Sequence, residues 1–188
     1  MKKLQNINVG NINGFIFRQF LRCMDNPIRE RGNSSAVSTV SASKIFPGST
    51  VLEIGCGSGF FTAEISKQAG PHGKLVSIDI HPEAAAVTLQ KTEKESLTNT
   101  TVLCGNAEDT GFDNNTFDTV CIYGVIPSPF ISTHRLIREM HRILKEEGTI
   151  AIWCGPFRLN TASIEHEGLF NFRKTENGVF LFDKNLPK

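Results

Sequence analysis

Three glycines in five positions, Gly55, Gly57 and Gly59, follow directly on an apolar run in the stretch VLEIGCGSGFF, residues 51–61. Glycine takes backbone angles closed to other residues and lets a main chain approach a ligand closely. A strand that ends in such a loop and continues into helical patterning is a βα unit, and the chain repeats that unit. The runs TVLEIG, KLVSID, TTVLCG, FDTVCIYG and GTIAIWC begin at residues 50, 74, 100, 117 and 148, with helical spacing between them. Such alternation predicts a parallel sheet wrapped by helices on both faces. The runs are apolar nearly throughout, as expected of strands covered on both sides.

The spacing predicts helices over residues 60–69, 82–97 and 132–145. Gly70-Pro71 ends the first, Pro82 opens the second, and Leu136, Ile137, Met140, Ile143 and Leu144 form the inner face of the third. The tail LFNFRKTENGVFLFDK is two period-2 segments joined at Asn177-Gly178, a pair suited to the left-handed angles of a tight turn. It predicts an antiparallel hairpin at the end of the sheet. The fold class is therefore α/β, a Rossmann-like doubly wound sheet, mostly parallel. Ahead of it, Ile12, Phe15, Ile16, Phe20, Cys23 and Met24 fall at helical spacing, and residues 34–46 read as a further helix. The expected organisation is one domain, with residues 1–46 a helical cap segment packed on a ligand-binding unit over 47–188.

A dinucleotide fingerprint needs Gly-x-Gly-x-x-Gly at a strand-to-helix turn. Counting from Gly55 the sixth position is Phe60, and from Gly57 it is Thr62, so the last glycine of that pattern is missing. The loop reads Glu-x-Gly-x-Gly-x-Gly instead, beginning at Glu53. A carboxylate at the end of the first strand is expected to repel a pyrophosphate and attract a cation such as an amino group. Asp79 closes the second strand twenty residues after Gly59, where a carboxylate can accept hydrogen bonds from both ribose hydroxyls. Asn106, Ala107 and Glu108 follow the third strand, where an adenine edge would lie, and Asn106 can both donate and accept.

Charge and cysteine usage narrow the class further. Residues 1–31 carry six basic and two acidic side chains, a balance of +4, whereas the rest of the chain is at −3. No block of like charge is dense enough to predict nucleic-acid binding. The five cysteines form no Cys-x-x-Cys pair and are odd in number, which argues against a disulfide framework or a metal site. No apolar run approaches a membrane span and no secretory signal is evident, so a cytoplasmic location is expected. The apolar N-terminal segment, with Arg18 and Arg22 beside it, reads first as a cap over the site and only secondarily as a peripheral membrane contact.

With these residues in place, the chain resembles the class I S-adenosylmethionine-dependent methyltransferases, particularly their small-molecule and quinone group. The likeness rests on PGSTVLEIGCGSGFFT, GKLVSIDIHPEA, GNAEDTGFDNNTFDTV and REMHRILKEEGTIAI, which stand in that family's order and spacing across about residues 47–184. It implies a seven-stranded sheet with its last strand antiparallel, and S-adenosyl-L-methionine as cofactor, leaving as S-adenosyl-L-homocysteine. It implies that Glu53, Gly55, Gly57 and Gly59 hold the methionine end, Asp79 the ribose, and Asn106 and Ala107 the adenine; Cys56, Ile80 and Glu108 are further candidate cofactor contacts. The family often has Asp where Asn106 stands, and Lys-Pro-Gly-Gly where residues 145–148 read Lys-Glu-Glu-Gly. Two other readings stay open at this point: a non-catalytic nucleoside-binding module, and an NAD-dependent oxidoreductase.

For the transfer itself, Tyr123, His134 and His166 are the candidate catalytic groups, with Tyr123 also a candidate cofactor contact. Tyr123 ends the fourth strand, and the two histidines lie in segments able to reach the acceptor side. Val125, Ile126, Pro127, Pro129 and Phe130 give an apolar mouth, so a neutral or hydrophobic small-molecule acceptor is expected.

Overall fold

The computed structural model describes residues 35–186. The elements in order are α1 (Ala36–Ser41), β1 (Thr50–Ile54), α2 (Thr62–Ala69), β2 (Lys74–Asp79), α3 (Pro82–Lys94), β3 (Thr100–Cys104), β4 (Phe117–Tyr123), α4 (Thr133–Ile143), β5 (Leu144–Trp153), α5 (Ala162–Glu165), β6 (Phe170–Glu176) and β7 (Val179–Lys184). The seven strands form one sheet in the order β3-β2-β1-β4-β5-β7-β6. β7 alone runs against the others, pairing antiparallel with both β5 and β6. All five expected parallel strands and the hairpin are therefore present. Asn177 and Gly178 take φ of 49° and 77°, as the two-residue turn requires.

Strand alternation divides the core into two layers. Leu52, Ile54, Val120, Ile122, Ile150 and Ile152 face Leu136, Ile137, Met140 and Ile143 of α4. Val51, Leu75, Cys121 and Ala151 point the other way, onto Val40 of α1 and Ile65 and Ala69 of α2. Both layers mix aliphatic and aromatic side chains, and burial of this kind stabilises at roughly 25 cal/mol per Å² of apolar surface.

Helix ends depart from the sequence reading in ways the backbone explains. α1 stops at Ser41 instead of residue 46, because Lys44 adopts φ 53°, outside the helical region, and the chain then turns through Pro47-Gly48. α3 stops at Lys94, since Ser96 takes φ 54°. α4 opens at its Ser132 cap, whose hydroxyl accepts the Arg135 N–H. Residues 145–148 are an excursion within β5: β4 pairs Phe117 with Leu144 and next Thr119 with Thr149. The helix expected over residues 12–24 lies outside the described residues. The described part of the cap segment, α1 and the turn after it, packs on the α2 side of the sheet.

β1 and β4 are neighbours, and the chain winds outward from them in opposite directions. Ligands of such sheets bind at the carboxyl ends of the strands, where the winding reverses.

Candidate active site

At that end of the sheet lies a cavity of about 1150 Å³. Residues from the loops after β1, β2, β3, β4 and β5 all reach it, which is enough room for a nucleoside cofactor together with a small second ligand. Gly55, Cys56, Gly57, Asp79, Ile80, Asn106, Ala107, Glu108 and Tyr123 line it; Glu53, Gly59, His134 and His166 do not.

The glycine loop is folded onto the protein itself. Gly55 and Cys56 donate their N–H groups to Ile78 O at 2.8 and 3.1 Å, and Gly59 donates to Cys56 O at 2.8 Å. Gly57 donates to Asp79 Oδ2 at 2.9 Å, while Asp79 Oδ1 accepts the His81 N–H at 2.9 Å. Gly55, Gly57 and Gly59 all have positive φ, at 73°, 56° and 75°. At Gly55 a Cβ would stand 2.4 Å from Val125 Cγ2, so the loop after β4 closes directly on this glycine. Four loop amides are thus engaged within the protein, whereas a phosphate-binding loop presents its amides to the ligand. With its amides engaged, the loop offers few donors to a pyrophosphate.

Glu53 requires a correction. It was expected to meet a cationic ligand directly, but strand alternation turns its side chain onto the α2 side, beneath the loop. There it is 2% exposed, and its Oε2 accepts hydrogen bonds from Thr62 Oγ1 at 2.7 Å and Ser77 Oγ at 2.6 Å. Ser77 is its register partner on β2. Burial raises its pKa to about 7 against the lowering effect of the two hydroxyls. Burial likewise raises Asp79, opposed by the backbone amides that it accepts.

The sign of the Glu53 effect on stability follows directly. Its carboxyl holds a proton more tightly folded, at about 7, than unfolded, at 4.5. Its stabilising contribution is complete below the unfolded value and is lost as pH rises through the folded one. Glu53→Gln is neutral in both states, so without cofactor it is expected to be more stable than the parent at pH 8, by at most about 3 kcal/mol. Near pH 5 most of that gain should be gone. Urea unfolding at the two pH values measures it, and a difference independent of pH would contradict the assignment.

Of the three catalytic candidates, Tyr123 alone lines the cavity. The Tyr123 hydroxyl donates to Ser43 Oγ in the loop after α1, and burial holds its pKa well above 10. Its ring packs on Phe61, centroids 4.8 Å apart, and Phe61 packs on Trp153 at 5.6 Å, giving the cavity an aromatic wall that the sequence reading did not assemble. His134 is 62% exposed and paired with Glu167, on the outside of α4. His166 is exposed at the end of α5. Neither histidine is among the residues that line the cavity.

Glu108 proves to be a brace. Its Oε1 accepts the Ser132 N–H at 2.6 Å, and its Oε2 pairs with Arg135 at 2.9 Å. It thereby ties the loop after β3 to the start of α4, while Asn106 Oδ1 accepts the Glu108 N–H at 2.9 Å. Beyond them Ile126, Pro127 and Pro129 lead to Phe130, 87% exposed, which with Phe157, 66% exposed, forms an apolar lip.

Residues 51–148 match the family model described as "Methyltransferase domain". A demethylmenaquinone methyltransferase of Lactococcus lactis is 32% identical over 104 residues, covering 55% of this chain and 40% of that enzyme. The catalytic subunit of a tRNA (adenine(58)-N(1))-methyltransferase of Yarrowia lipolytica is 37% identical over 101 residues, covering 53% of this chain and 26% of that protein. The chain thus spans less than half the length of either relative. A crystal structure of a SAM-dependent methyltransferase from Aquifex aeolicus superposes with a TM-score of 0.72 at 19% identity, over 88% of this chain and 96% of that one.

Proposed function

The chain belongs to the methyltransferase-domain family, with the class I fold of S-adenosylmethionine-dependent enzymes, and on that premise we propose that it methylates a small apolar acceptor by in-line displacement. The observation carrying this reading is the inward-bonded glycine loop over two carboxyl groups, continuous with an apolar lip.

The residues present fit the cofactor. Asp79 would accept from the ribose hydroxyls, Ile80 and Ala107 would flank the adenine, and Gly55, Cys56 and Gly57 would border the methionine end. Bound there, S-adenosylmethionine supplies an electrophilic methyl group on a sulfonium. Glu53 would act indirectly, its carboxyl joining α2 and β2 beneath the loop through Thr62 and Ser77. The chain's task is to hold the two reactants aligned in an apolar enclosure, an effect of about 7–11 kcal/mol in well-oriented reactions.

The quinone enzyme among the relatives accords with the lip of Phe130, Pro129 and Phe157. An RNA acceptor is less well supported, because no block of like charge in the chain is dense enough to follow a phosphate backbone. The test is incubation with methyl-tritiated S-adenosylmethionine and a fractionated cell extract. Label should enter small molecules extractable into organic solvent. Label confined to the RNA or protein fraction would overturn the proposal.

A further inference from the structure

Resting on that reading, we propose that Glu108 is a positioning residue through which the bound cofactor fixes the acceptor lip: its carboxylate completes the start of α4, from which the loop carrying Phe130 hangs.

α4 begins with the wrong charges. A helix N-terminus carries a partial positive charge and favours acidic side chains, yet the first turn of α4 has none. His134 and Arg135 stand there instead, with Arg138 one turn on. A capping box needs two reciprocal bonds, in which the N-cap hydroxyl accepts the N3 N–H and a Glu or Gln at N3 accepts the N-cap N–H. Ser132 provides the first half, accepting the Arg135 N–H at 3.4 Å. Arg135 itself occupies N3 and has no acceptor to offer. Glu108, 24 positions earlier, supplies the second half from outside the helix: its Oε1 accepts the Ser132 N–H at 2.6 Å, and its Oε2 pairs with Arg135 at 2.9 Å.

Glu108 also belongs to the cavity. It lines the wall beside Asn106 and Ala107, and Asn106 Oδ1 accepts its N–H at 2.9 Å. Its side chain is only 11% exposed, so letting go of Ser132 would leave a carboxylate short of partners where water reaches it poorly. The Arg135 pair adds less, because that guanidinium is largely solvated. A nucleoside seated against residues 106–108 holds this backbone turn, and the carboxylate on the turn holds Ser132.

Ser132 closes the acceptor loop. That loop starts at Gly124, whose N–H donates to Trp153 O at 2.7 Å, and passes through Pro127 and Pro129 to the exposed Phe130. One end is therefore fixed to β5 and the other to Glu108. A second carboxylate supports the same helix: Glu167, after α5, pairs with His134 and with Arg138 Nε at 2.7 Å. Of the two, Glu108 alone lines the cavity.

The experiment is amide hydrogen exchange of the full chain, read on peptides covering residues 125–137, with and without saturating S-adenosylhomocysteine. In the parent the ligand is expected to slow exchange there by about 5- to 10-fold, the lower part of the range for coupled sites. Glu108→Ala should exchange faster in the free form, and the ligand should then slow it less than about twofold. Glu108→Gln keeps an oxygen for the Ser132 N–H but loses the ion pair, so it is expected to fall between; it also carries the test should the alanine variant not fold. Glu167→Gln is the control for a purely structural role: exchange should rise in both forms while the ratio between them stays at the parent's value. Calorimetry establishes saturation in each variant. A parent-like ratio in the Glu108 variants, or a collapse of the ratio in Glu167→Gln as complete as in Glu108→Ala, would overturn the inference. So would loss of all S-adenosylhomocysteine binding in Glu108→Gln, which would make this residue a direct ligand. If the parent binds S-adenosylhomocysteine but exchange over residues 125–137 is unchanged, this inference falls alone; if the parent does not bind it, the functional reading falls as well.

Discussion

Asp79→Ala is expected to weaken S-adenosylhomocysteine binding by about 100- to 1000-fold while the protein stays folded. The carboxylate joins Gly57 N–H to His81 N–H, each at 2.9 Å, so it fixes both the glycine loop and the start of α3 before any ligand enters. Hydrogen bonds to a charged group contribute about 1.5–3 kcal/mol each, and losing two sums to roughly 3–6 kcal/mol, of which loop order takes part and ligand affinity the rest. Asp79→Asn separates charge from geometry. Its amide oxygen can still accept one of the two N–H groups, but its NH2 faces the other, so an intermediate loss is expected. Calorimetry gives the affinity and thermal unfolding checks the fold. Wild-type affinity in Asp79→Ala would remove this residue from the site.

Gly55→Ala should be nearly as damaging, by a different route. The new Cβ would lie 2.4 Å from Val125 Cγ2, and φ is 73°, where a non-glycine residue is strained. The left-handed conformation costs about 1–2 kcal/mol, and overpacking about 1–3 more. The two parts are separable: adding Val125→Ala removes the clash but leaves the strain. The double variant is therefore expected to recover part of the stability and affinity, never all of it, and full recovery would show that the backbone angle is unimportant.

Much of the fold was legible because its signals are local. Nearly continuous apolar runs separated by helical spacing announce buried parallel strands, and Asn177-Gly178 announces a hairpin within two residues. The helix ends at Ser41 and Lys94 were misjudged because Lys44 and Ser96 adopt left-handed angles without a glycine to mark them. At the site, the glycine loop and Asp79 follow from spacing along one βα unit. Glu53 was misplaced because nearness to the strand end was taken for nearness to the ligand, whereas side-chain direction depends on which face α2 covers. The histidines illustrate the same limit: His134 and His166 lie in segments near the cavity, yet both are exposed and neither lines it. The Glu108 brace to Ser132 and Arg135, and the meeting of Phe61, Tyr123 and Trp153, join residues 24 or more positions apart with no local pattern.

The central claim is that a loop whose amides are engaged internally, over buried carboxyl groups, selects a nucleoside with an amino-acid tail over a dinucleotide. Calorimetric titration of the full chain with S-adenosylhomocysteine, NAD and ATP tests this most directly. The account predicts one S-adenosylhomocysteine per chain and no binding of the two phosphate ligands at matched concentration. Saturable NAD or ATP binding without S-adenosylhomocysteine binding would contradict it.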